Sequence, residues 1–100
     1  MATTSKVLAR TAAATSSATL YTVPASTTTI VTNIVVTNTA AAAATFTITL
    51  DGVAIVSGSS LAANSSAFFD LKQTLATTKI IAGFASATTV NFHISGVEIV

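Results

Sequence analysis

Cysteine is absent from this sequence, which excludes disulfides, thiolate nucleophiles and cysteine metal sites. Charge is nearly absent as well. Lys6, Arg10, Lys72, Lys79, Asp51, Asp70 and Glu98 are the only charged residues, 7% of the chain where a soluble domain carries about 25%. Four scattered basic residues form no stripe that could track a phosphate backbone, so no nucleic-acid partner is expected. The four glycines, at 52, 58, 83 and 96, stand alone, and none belongs to a phosphate-cradling loop. Mean hydropathy is positive, +0.78, yet no run approaches the ~18 apolar residues of a spanning helix. Five Phe and one Tyr are too few for the aromatic girdles of a membrane barrel. Lys6 and Arg10 precede no leucine-rich stretch, so no signal peptide is expected.

The same scarcity empties the chain of recognisable catalytic chemistry. His93 is the only histidine, so a nucleophile–base–orienter set would have to be a serine with His93 and Asp70. No Gly-x-Ser-x-Gly elbow marks such a serine. His93 alternates out of phase with Val90, Phe92 and Ile94, as a solvent-facing strand residue does. Asp51, Asp70 and Glu98 are scattered, with neither metal-ligand spacing nor the pairing of a glycosidase. The sequence is expected to be no enzyme and to need no cofactor.

What the chain does have is alternation. In Ala44-Thr45-Phe46-Thr47-Ile48-Thr49-Leu50, every second residue is large and apolar, the period of a half-buried strand. Asp51-Gly52 follows, a pair that tolerates positive φ and so predicts a tight hairpin back into Val53-Ala54-Ile55-Val56. Residues 57–60 read as the end of that arm, and 66–71, 79–85 and 89–95 as further strands. Residues 27–38 are the densest β-branched stretch. Simple alternation there places Ile30, Ile34 and Val36 on one face and Val31, Val35 and Thr37 on the other. Gly96 predicts a bulge before the last strand. Leu20-Tyr21-Thr22-Val23 is a short strand stopped by the only proline, Pro24.

Seven or eight short strands in 100 residues predict one all-β domain, an antiparallel β-sandwich of Ig-like or jelly-roll-like type. The sandwich is expected over residues 20–100, behind an amino-terminal arm and linker over 1–19. Residues 6–11 alternate weakly and read either as an edge strand or as part of an arm docking elsewhere. In the arm reading, Lys6 and Arg10 are the candidate partner-binding residues, facing acidic groups on a neighbour.

Leu20-Tyr21-Thr22-Val23-Pro24-Ala25-Ser26-Thr27-Thr28-Thr29-Ile30-Val31 resembles a pattern in small bacteriophage virion proteins, with Val36-Thr37-Asn38-Thr39 matching their Asn-Thr turn. Val90-Asn91-Phe92-His93-Ile94-Ser95-Gly96-Val97-Glu98-Ile99 resembles their closing strand. The resemblance spans residues 20–100 and its motifs are structural. It implies a β-sandwich accessory subunit of a phage particle, decorating or cementing the capsid surface. The partner would be the major capsid protein or another virion protein, and the subunit a homo-oligomer, a trimer first of all. A tail, baseplate or fibre-attachment module is the alternative, followed by a module binding glycans or, through flat threonine arrays, ice.

Overall fold

A computed structural model describes residues 2–100 and shows eight strands with no helix among them. The strands are β1 (Thr3–Ala12), β2 (Ala18–Thr22), β3 (Thr28–Asn38), β4 (Ala44–Leu50), β5 (Val53–Leu61), β6 (Ser66–Leu75), β7 (Ile80–Ala85) and β8 (Val90–Ile99). They form two antiparallel sheets of four, ordered β1-β8-β3-β6 and β2-β7-β4-β5. The pairs β1 with β8, β2 with β7, β3 with β6 and β4 with β5 are those of one long hairpin rolled up on itself. That is jelly-roll topology, which selects between the two sandwich types expected.

The core is the inner face of both sheets. Val31, Ile34, Val36, Phe92 and Ile94 from one sheet meet Phe46, Ile48 and Ile81 from the other, all essentially inaccessible. Each such side chain contributes about 1.5–3 kcal/mol by leaving water. Phe46 and Phe69 meet edge to face across the sandwich, ring centroids 6.1 Å apart. The predicted hairpin is present, with Asp51 and Gly52 both at positive φ (54° and 76°).

The amino-terminal region is arranged differently from an arm and linker. β1 pairs with β8 from Thr3 to Ala12, making it the edge strand of the first sheet. Met1 lies outside the described residues. Beyond β1 the chain changes sheets within two residues: the Ala13 N–H donates to Val90 O, and Ala14 O accepts from the Ala85 N–H. The short connection over 13–17 is what remains of the linker.

The faces of β3 also differ from simple alternation. Its register shifts between Val31 and Asn33, against both β6 and β8, so Val31, Ile34 and Val36 all point inward. Ile30, Val35 and Thr37 are left half-buried on the outer face. β5 runs on through Ser57–Ser60, residues of poor strand propensity, because β4 supplies ladder partners for Ser59 and Ser60. Gly58, at positive φ, absorbs a register shift there and donates its N–H to the Thr47 hydroxyl.

Gly96 is no bulge in its own strand. β8 alternates without interruption from Val90 to Ile99, and the irregularities lie opposite, near Leu8 in β1 and Thr32 in β3. Gly96 faces inward at the place where its neighbours close over it.

Candidate interaction surface

Uninterrupted alternation in β8 also turns Glu98 inward, in the same phase as Phe92 and Ile94. A buried carboxylate is costly unless partners surround it, and the fold supplies two, one of them held in turn by a threonine hydroxyl. Tyr21 reaches across from β2 and donates its hydroxyl to Glu98 Oε2 at 2.5 Å, while Thr29 Oγ1 lies 2.8 Å from the same phenolic oxygen. From the edge strand, Lys6 Nζ sits 3.2 Å from Glu98 Oε1. The Tyr21 hydrogen bond, followed by Lys6, holds the Glu98 carboxyl below its ordinary range against the opposing effect of burial. Burial, and then the Glu98 carboxylate, push the Tyr21 phenol above its ordinary value.

This cluster closes one end of the sandwich and sets a pH dependence. Because Glu98 titrates lower when folded, its contribution is complete above the unfolded carboxylate range and is lost as pH falls through the folded value. Tyr21 titrates higher when folded, so its contribution is complete below the ordinary tyrosine value and is lost as pH rises through the folded one. Replacing Tyr21→Phe is expected to cost about 1.5–3 kcal/mol at neutral pH, the value of hydrogen bonds to a charged group. Thermal melts from pH 7 to pH 2 check this. The gap between wild type and variant should narrow as Glu98 protonates, and a constant gap would detach Tyr21 from the carboxylate.

The two basic residues singled out in the sequence therefore part company. Lys6 is 45% exposed along its side chain, but the acid it faces belongs to its own chain. Arg10 lies on the outer face opposite His93, which in turn is opposite Val35, itself opposite Phe68. Among the described residues no ion pair includes Arg10, Asp70 or Lys72, whereas Lys79 and Asp51 approach to 3.6 Å. His93 and Asp70 sit on strands separated by β3, about two strand spacings or ~10 Å. They do not form a catalytic pair. No group of three or more His, Asp or Glu is placed to hold a metal among the described residues.

The two open flanks of the sandwich carry the features that the core leaves unexplained. One flank, where β1 lies beside β2, holds a groove of about 380 Å³ lined by Ala9, Ala12, Ala14, Ala18, Leu20 and Arg10 among others. The opposite flank, where β5 lies beside β6, holds a groove of about 300 Å³ with Ile55, Val56, Phe68, Phe69, Leu71 and Asp70 on its walls. Phe68 is 75% exposed and Ile55 40%, with Val53 exposed beside them on β5. Sequence reasoning missed this asymmetry. Its signal was present in Phe68-Phe69, since two adjacent aromatics on a strand cannot both enter one core. No protein-family model matches the chain, and no curated protein is significantly similar to it.

Proposed function

We propose that this protein is a non-enzymatic structural subunit of a bacteriophage particle, decorating or cementing the capsid surface through protein–protein contacts. The observation that carries the reading is the pattern of exposure. Large apolar side chains stand out on the flank bearing Phe68, Ile55 and Val53, while four of the seven charged residues are used inside the chain's own pairs. Such a surface suits life against other subunits. The jelly roll adds an analogy, since virus capsid and lectin domains share that topology and fold alone fixes no function. The resemblance of residues 20–100 to small virion proteins points the same way.

Particles produced by the phage that encodes the chain, labelled with antibody or by a fused tag, test the reading. Label spread over the head at lattice spacing is the expected result. Label confined to tails or fibres would move the protein to an attachment role, and particles without label would end the virion reading.

A further inference from the structure

We infer that the two flanks are complementary halves of one self-association contact, so that copies add head to tail in an open row. Apolar exposure, charge and strand direction each support it. The β5–β6 flank exposes the apolar side chains of Phe68 and Ile55, and the β1–β2 flank carries a groove lined by alanines, threonines, Leu20 and Arg10. Arg10 belongs to the β1–β2 side and Asp70 to the β5–β6 side, and neither has an ion-pair partner among the described residues.

Strand direction follows from topology. In the order β1-β8-β3-β6 all neighbours are antiparallel, so β6 runs opposite to β1. A second copy displaced along the sheet brings its β1 antiparallel to β6. If the cross-strand rows continue, Arg10 of that copy lies opposite Phe68, in cation–π range, with Asp70 a diagonal neighbour within reach of a long side chain. Because β1 and β6 are opposite edges of one sheet, the contact is heterologous, and copies that continue the sheet by translation add as an open row.

Light scattering of the full chain over a dilution series is the test. The average mass should climb with concentration past that of a dimer without a plateau. Phe68→Ser should raise the dissociation constant about thirtyfold or more with an unchanged unfolding midpoint, since Phe68 packs mostly against solvent. Arg10→Asp and Asp70→Arg should each weaken association about tenfold or more. A mixture of those two variants should associate again, because each then meets an opposite charge. A monomer at all concentrations, a discrete dimer or trimer, or a mixture that stays dissociated would overturn the inference. It stands apart from the particle reading, and label absent from virions would leave the association unaltered.

Discussion

Replacing Gly96→Ala is expected to cost about 3 kcal/mol or more and to lower the melting temperature by roughly 12 °C or more. A Cβ at this position would stand 2.2 Å from the Ile30 carbonyl oxygen and 2.9 Å from Leu8 Cδ1. The leucine end can turn aside. The carbonyl belongs to the backbone of β3, the strand paired with β8 along its whole length, and it can move only by breaking that ladder. Gly58→Ala serves as the control. Nothing lies within 4 Å of its would-be Cβ, so its cost is the left-handed backbone alone, about 1–2 kcal/mol. Calorimetry on the two variants checks the contrast. Equal shifts would mean that the close approach at Gly96 relaxes without strain.

Asn38→Leu is expected to destabilise by about 3–5 kcal/mol, visible as a lower denaturant midpoint with little change in slope. Asn38 is 1% exposed at the end of β3 opposite to Thr29 and the Glu98 cluster. Its Nδ2 donates to Ala42 O at 2.8 Å and shares weaker contacts with Leu61 O and Ala62 O, both at 3.4 Å. Its Oδ1 accepts from the Ala40 N–H at 3.1 Å and from the Thr89 hydroxyl at 3.3 Å. One amide therefore ties together the connections that follow β3, β5 and β7. Leucine fills a similar volume but leaves those groups without the buried Asn38 amide as partner, and each group left unpaired costs about 1–3 kcal/mol. Asn38→Asp is expected to be at least as damaging, because a carboxylate would face three carbonyl oxygens. A loss below 1 kcal/mol for either variant would show that the connections find other partners.

The two polar clusters sit at opposite ends of an otherwise apolar sandwich, and no buried side-chain nitrogen or oxygen lacks a partner among the described residues. That arrangement explains how a chain with so few charges specifies one strand register. Sliding β3 by one residue would carry Asn38 out of its pocket and turn every inward side chain to solvent. The apolar residues supply most of the stabilisation, and Asn38 and Glu98 penalise the alternatives.

Much of this was legible locally. The Phe46-Ile48-Leu50 alternation, the Asp51-Gly52 turn and the β-branched run over 27–38 each depend on interactions within a few residues, so the sequence alone determined an all-β domain of about eight strands. Tertiary structure decided the rest, because the physics there is non-local. Whether residues 3–12 are arm or strand depends on β8, whose pairing residues lie 79 to 96 positions away. The inward face of β3 depends on irregularities set by two neighbouring ladders. Glu98 reads in the sequence as one more scattered acid, and it becomes the keystone of an end cap only when Tyr21 arrives from the opposite sheet. Lys6 and Arg10, four residues apart, are separated in role because one finds that carboxylate and the other is left facing outward on the flank that the next copy is expected to meet.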